Sequence, residues 1–421
     1  MPSDFQKLCV IGLGYVGLPT AAVFASRGVS VLGVDTNKIT VDLINQGKVH
    51  IVEPDLDILV NGAVSTGKLK AAATPQPADA FIIAVPTPFG DNHEPNLDYV
   101  HAAARSIAPV LAPGSLVIIE STCPVGTTER VSRWLAEARP DLTLPHQAGP
   151  HQTGEDAQIN IAHSPERVLP GRVLLELVRN DRVVGGITPK CAERTAALYR
   201  IAVEGQCHLT TAATAELVKL SENAYRDVNI AFANELSLIA DKMGIDVWDA
   251  IALANRHPRV NILQPGPGVG GHCIAVDPWF LAHSTPNESP LIQAARGVND
   301  GKPGHVVKKI LAAAASADAD TIACLGLAYK ADIDDMRESP AVTIAAAVAR
   351  DFRGQVLIVE PHTDDLPDPF KTHKNASLYP LAAALEKAQV VALLVDHRDF
   401  RELDRDRLAD KTVIDTRGIW R

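Results

Sequence analysis

Short apolar runs alternate with longer helical ones over the first 120 residues. Leu8–Ile11, Val31–Val34, Phe81–Val85 and Leu116–Ile119 are short, apolar and free of charge. Such runs mark strands buried on both faces, as in a parallel sheet. Leu18–Arg27, between two of them, reads as a helix, and the alternation predicts an α/β doubly wound sheet. The same alternation restarts near residue 306, where Thr321–Leu327, Val356–Val359, Val390–Val395 and Thr412–Ile414 read as strands of a second Rossmann-like domain. Between the two, Leu217, Leu220, Ala224, Val228, Ala231, Ile239 and Met243 recur at a helical period, with Thr214 to cap the start and Gly244 the end. That helix would be roughly 45 Å long at 1.5 Å per residue, a spine between domains or across a dimer. The expected architecture is two Rossmann-like doubly wound domains, 1–210 and 306–421, joined by a central helical domain, 211–305, that carries the spine. A stretch rich in Pro, His, Gln and Gly, 139–156, reads as a surface loop.

Composition changes this picture only by exclusion. A chain of 421 residues exceeds one ordinary core. Its longest apolar runs fall far short of the ~20 residues that span a bilayer. The opening MPSDFQK lacks the basic-then-apolar pattern of a signal peptide, so a cytoplasmic protein without a membrane partner is expected. A net charge of −10 without a basic cluster argues against nucleic acid. Six cysteines stand singly, with no CxxC pair or Cys/His spacing suited to zinc; no metal is expected, and the thiols should be reduced.

Gly12-x-Gly14-x-x-Gly17 follows the first strand and opens the first helix. Glycines there permit a tight turn and let the backbone approach a pyrophosphate, while the helix N-terminus offers unpaired N–H groups to the anion. Asp35 ends the next strand, about 20 residues on, where a carboxylate binds ribose hydroxyls and repels a 2′-phosphate; NAD is favoured over NADP. The loop alone also suits FAD, so a flavin-linked protein stays open here.

Gln264–Pro278, QPGPGVGGHCIAVDP, has Gly or Pro at six of its first eight positions and reads as an ordered loop. Cys273 lies just beyond them, where small neighbours admit a substrate and a thiolate could add to an aldehyde; a buried structural cysteine fits the position too. Lys219, Asn223 and Arg226 share one helix face at i, i+4 and i+7, suited to polarising oxygens and binding phosphate or sugar, or simply a solvated face. Glu166, after Ser164-Pro165 and a mostly apolar stretch, is placed for acid–base work or for the surface.

The blocks GLGYVGLP, AVPTP, ESTCPVGTTE, SPERVLPG, TAELVKLSENAYRDVNIAFANELS, PGPGVGGHCIAVDP and GLAYKADIDDMRESP run from end to end of the chain and resemble the UDP-glucose/GDP-mannose dehydrogenase family. PERVLPG, NRHPRVNILQPGPGVGGHCIAVDPWF and the closing DTRGIWR are similar to the branch acting on UDP-N-acetyl-D-mannosamine. The UDP-glucose enzymes usually carry a lysine between the catalytic Cys and Asp; Cys273-Ile-Ala-Val276-Asp277 lacks it, which implies a different reading of the sugar, with activity kept.

The resemblance implies a four-electron oxidation at C6 with NAD as acceptor, giving UDP-N-acetyl-D-mannosaminuronate for surface polysaccharide. Cys273 would form a thiohemiacetal and then a thioester. Lys219 would assist proton transfer and stabilise oxyanions, Asn223 and Asp277 would position a water and the lysine, and Glu166 would serve thioester hydrolysis. Tyr15, Val16, Asp35, Thr87, Thr122 and Thr128 would line the NAD site beside Gly12, Gly14 and Gly17, and Arg337 would close over the cofactor. Arg167, Val168, Lys219, Asn223, Arg226, Gly270, Lys330 and Arg417 would hold the UDP-sugar. His257 and Arg259 would reach it across a homodimer interface built on the long helix. The same reaction on UDP-GlcNAc, UDP-GalNAc or another UDP-hexose, and a non-catalytic nucleotide-sugar binding protein, are the alternatives.

Overall fold

The computed structural model describes residues 5–148, 156–169, 171–271 and 273–421. The chain divides into two compact units, 1–221 and 222–421, and the boundary falls inside one helix, Ala212–Met243.

The first unit is built on an eight-stranded sheet. Its strands are β1 (Lys7–Ile11), β2 (Ser30–Val34), β3 (Leu69–Ala72), β4 (Ala80–Ile83), β5 (Leu116–Ile119), β6 (Asn160–His163), β7 (Arg182–Gly186) and β8 (Cys207–Thr211), in the order β3-β2-β1-β4-β5-β6-β7-β8. β1 to β6 are parallel and doubly wound, with the order reversing between β1 and β4. β7 runs antiparallel to β6, and β8 parallel to β7. The period of two explains the unbroken apolar strands. Leu8 and Val10 pack with Leu18, Ala21, Ala22 and Phe24 of the helix Gly17–Ser26, while Cys9 and Ile11 join Phe81, Ile83, Ile107 and Val131 on the opposite face. Leu142 and Leu144 of the expected surface loop are buried; residues 149–155 of it lie outside the described residues.

The long helix begins two residues before its expected cap. Strand β8 runs straight into it, and the hydroxyl of Thr211, not Thr214, accepts an N–H, that of Thr214 at 3.2 Å. Gly244 ends it at φ +69°, as the sequence predicts.

The second unit carries a five-stranded parallel sheet: β9 (Thr321–Leu325), β10 (Gln355–Val359), β11 (Ala376–Leu378), β12 (Val390–Leu393) and β13 (Thr412–Asp415), in the order β11-β10-β9-β12-β13. A buried polar chain ties its helices together. Asp227 accepts from Arg296 (2.7 Å) and Asn299 (2.8 Å); Asn234 donates to Asn299 (2.8 Å) and accepts the Gly266 N–H (2.9 Å). The glycine-rich loop is thereby hung from the long helix. Removing one member of such a buried ion pair costs about 3–5 kcal/mol. Among the described residues no helix is long and apolar enough to cross a membrane.

Candidate active site

The loop after β1 has the shape a dinucleotide needs. Gly12 sits at φ +92°, and a Cβ on Gly17 would lie 1.9 Å from the Gly12 carbonyl oxygen, so turn and helix approach only through glycine. A Cβ on Gly14 would meet nothing within 4 Å, leaving open space before the helix N-terminus. Asp35 holds the turn: its Oδ2 accepts the Leu13 N–H at 3.0 Å and its Oδ1 the Asn37 N–H at 2.8 Å, and lone pairs remain for ribose hydroxyls. Thr87, after β4, donates to the Thr122 carbonyl, after β5, at 2.6 Å. The carboxyl ends of β1, β2, β4 and β5 thus bring Gly12, Gly14, Tyr15, Val16, Gly17, Asp35, Thr87 and Thr122 to one crevice, at the point where strand order reverses; these residues fit NAD. Thr128 faces elsewhere. It is fully buried, its hydroxyl donates to Glu216 at 2.6 Å, and it offers nothing to a ligand.

Glu166 lies just beyond β6 and is 8% exposed. Its Oε1 accepts the Arg167 N–H (2.6 Å) and its Oε2 the Arg182 guanidinium (2.9 Å). Arg167 itself reaches the Asp181 carbonyl at 3.2 Å, and Val168 is half-buried beside it.

Lys219 stands on the long helix, one turn after Glu216. Glu216 is fully buried and accepts from Gly126 N (2.6 Å), Thr128 N (2.7 Å) and Thr128 Oγ1. These are the first turn of the helix Thr127–Ala138, so one carboxylate caps that helix and fixes the rotation of the other. His163, at the end of β6, is fully buried, and its Nε2 has no hydrogen-bond partner among the described residues. Burial, and then the charge of Lys219, lower its pKa to about 3. Between that value and the ordinary 6.5, the unfolded chain binds a proton that the folded one refuses, so stability falls as pH drops through this window. Between pH 7 and 4.5 the expected loss is about 2–3 kcal/mol. His163→Gln will narrow the gap between urea midpoints at those two pH values; an unchanged gap refutes the assignment.

In the second unit Asn223 donates to Asp277, which is 3% exposed and opens the helix Asp277–Ser284. Cys273 is exposed, and its carbonyl accepts the Val276 and Asp277 N–H groups at 3.1 and 2.8 Å, which fixes the turn between thiol and carboxylate. The glycines before it pack tightly: a Cβ on Gly270 would lie 2.5 Å from the Glu338 carbonyl oxygen and 3.0 Å from Tyr329 Cβ, and one on Gly266 would lie 2.7 Å from Arg417. Gly270 thus packs against Tyr329, the residue before Lys330, while Arg417 packs against Gly266 at the start of the same loop. Arg417 donates to Asp396 at 2.9 Å, and Arg337 to Asp335 at 2.9 Å. Arg226 is exposed, as are His257 and Arg259 on the turn after the helix Val247–Ala254.

Sequence reasoning missed Glu120, Arg182 and Glu216. Each is a charge in or beside an apolar run, which is the available signal: a buried charge needs a partner.

Residues 6–203 match the NAD binding domain, 213–301 the central domain and 323–421 the UDP binding domain of the UDP-glucose/GDP-mannose dehydrogenase family. The chain is 58% identical over 417 residues to an NDP-N-acetyl-D-galactosaminuronic acid dehydrogenase of Ralstonia nicotianae, covering 99% of this chain and 97% of that one. It is also 58% identical over 407 residues to a UDP-N-acetyl-D-mannosamine dehydrogenase of Campylobacter jejuni, covering 96% and 99%. Among solved structures it is similar to the UDP-D-ManNAc dehydrogenase of Pyrococcus horikoshii, at 38% identity and TM-score 0.87, with 98% and 96% covered.

Proposed function

Because the chain belongs to the UDP-glucose/GDP-mannose dehydrogenase family and is an NAD-dependent UDP-sugar dehydrogenase, we propose that it oxidises UDP-N-acetyl-D-mannosamine at C6 to the uronate, for surface polysaccharide. The observation carrying the chemistry is Cys273, exposed at the end of a rigid glycine-rich loop and one turn from the Asn223–Asp277 pair. In this reading bound NAD supplies the hydride acceptor, twice per sugar. Gly12, Gly14, Tyr15, Val16, Gly17, Asp35, Thr87 and Thr122 hold it, with Arg337 closing over it.

Lys219 receives the C6 hydroxyl proton directly or through water held by Asn223 and Asp277. The Cys273 sulfur then adds to the aldehyde carbon, and Lys219 balances charge on the oxygen. Covalent capture keeps the carbon oriented for the second oxidation, which leaves a thioester. Water, deprotonated by Glu166, displaces the sulfur and releases the uronate. Arg167, Val168, Arg226, Gly270, Lys330 and Arg417 hold the nucleotide and sugar. The domains are 1–210, 211–305 and 306–421, and the setting is the cytoplasm.

The test is NADH formation from a panel of UDP-hexoses and UDP-acetamido-hexoses. UDP-N-acetyl-D-mannosamine is expected to give two NADH per sugar and the highest kcat/KM; one NADH with accumulating aldehyde sinks the four-electron scheme. The galactosaminuronate relative at 58% identity favours UDP-N-acetyl-D-galactosamine as the second reading, decided by the same panel.

A homodimer completes the reading. Tyr225, Phe232 and Ile239 recur every seven residues along the long helix and are 72%, 53% and 47% exposed, an apolar stripe that needs a cover. His257 and Arg259 then serve the partner's sugar site. Phe232→Glu will sediment as a monomer where the parent is a dimer; a dimeric variant refutes this interface.

A further inference from the structure

The carboxylate of Glu166 is one end of a buried chain. Arg182, which opens β7, donates through one amino group to Glu166 Oε2 (2.9 Å) and through the other to Glu120 Oε1 (3.1 Å). Glu120 follows β5 and is 2% exposed. It also accepts from the phenol of Tyr199 (3.2 Å) and, at Oε2, the hydroxyl of Thr20 (3.2 Å). The guanidinium lies 4.2 Å from the Tyr199 ring centre. Arg182, Glu166 and Tyr199 are the charged or titratable groups that face Glu120, from β7, from the segment after β6 and from the helix Pro189–Tyr199.

Two carboxylates share one guanidinium, so with both ionised the cluster is a buried net negative charge, and taking up one proton relieves it. The hydrogen bonds decide where that proton sits. Glu166 meets an amide N–H and a guanidinium, which only donate, so a protonated Glu166 would point its hydrogen at a donor. Glu120 meets two hydroxyls, which can reverse and accept. Greater burial acts the same way and pushes Glu120 up to about 7, ahead of the opposing pull of Arg182.

We propose that the Glu120–Arg182–Glu166 cluster holds one proton, on Glu120, and that this proton sets the charge around Glu166, the base for thioester hydrolysis. Glu120 and Arg182 are positioning residues that set the charge and aim of Glu166. This rests on the hydrolytic role given to Glu166 above.

When Glu120 loses its proton, the charge of Arg182 is divided between two carboxylates, and the hydrolysis step at Glu166 quickens. The experiment uses full-length enzyme with NAD and UDP-sugar under single turnover, following the hydrolysis step against pH. The parent is expected to show a rate rising about three- to tenfold through an inflection near neutrality. Glu120→Gln loses that inflection, and Tyr199→Phe, which removes a donor to the ionised form, moves it to higher pH. Infrared spectra at pH 6 will show a protonated-carboxyl band in the parent that is absent from Glu120→Gln and shifted in frequency in Thr20→Val, whose hydroxyl meets Glu120 Oε2; an unshifted band in Thr20→Val places the proton elsewhere and overturns the assignment. A band that survives in Glu120→Gln, or a parental pH profile in both Glu120→Gln and Tyr199→Phe, overturns the proposal. If Glu166→Gln hydrolyses at the parental rate, the role of Glu166 fails and the functional part of the proposal with it, while the band still decides where the proton sits.

Discussion

Cys273→Ser will cut uronate formation by at least about 10³-fold and change the product ratio from two NADH per sugar towards one. The substitution keeps the shape of the side chain and replaces a thiol with a hydroxyl, a far weaker nucleophile towards an aldehyde. Cys273 is exposed, and backbone hydrogen bonds from Val276 and Asp277 to its carbonyl fix the turn in which it sits. The loss is therefore chemical: the geometry behind the residue survives. Without covalent capture the aldehyde either departs or hydrates, and the second oxidation loses its oriented carbon. Stopped-flow absorbance of NADH with an aldehyde-trapping reagent measures both halves. A serine variant that still yields two NADH at the parental rate rules out covalent catalysis.

The strands and loops that carry this chemistry were legible because burial on both faces erases polar residues. β4 and β5 are continuous apolar runs, β1 and β2 are apolar after one exposed polar residue at the start, and the glycines of the dinucleotide turn have no substitute. β3, β7 and β8 were not legible. Leu69–Ala72 carries a lysine, Arg182–Gly186 opens on a charge and closes on glycines, and Cys207–Thr211 is mostly polar and half exposed. Their places are set by pairing with neighbouring strands, which no local pattern reports. The site divides in the same way. Motif residues were found; the buried charges that aim them were not, because Glu120 and Arg182 are 62 positions apart in the sequence and meet only in the fold.

The second sheet shows why a repeated pattern does not repeat a function. Gly326 N–H donates to the Val359 carbonyl at 2.8 Å, as Gly12 N–H does to Val34 at 2.8 Å. Glu360 then stands after β10 where Asp35 stands after β2. Yet Glu360 is only 5% exposed and accepts from Leu327 N (2.6 Å), Ala328 N (3.1 Å), His362 N (3.1 Å) and His397 Nε2 (3.2 Å). One more methylene turns the carboxylate inward to hold the loop that carries Lys330, and burial withdraws it from a ribose. This sheet positions side chains for a nucleotide-sugar; it does not offer a second dinucleotide site.

Lys219→Met will lower kcat by about 10²–10³-fold with little change in KM, the loss seen when one preorganised oxyanion donor is removed. Methionine comes close in length, keeps the helix propensity and removes the amine with its charge and its proton. The ammonium has its place because Glu216, one turn earlier, is locked by three donors at the start of the helix Thr127–Ala138, so the long helix cannot turn about its axis. A lysine held this way meets charge that develops on a reacting oxygen without first reorganising, which is where a fixed cation is worth most. Arginine should not restore the rate, since its planar, permanently charged fork can neither take nor give the proton. The same variant should let His163 titrate closer to its ordinary range, because Lys219 is the second cause of its lowered pKa. Steady-state kinetics and imidazole NMR read the two effects on one preparation. A rise in KM at constant kcat would instead make Lys219 a phosphate ligand and move the proton-transfer role to the Asn223–Asp277 pair.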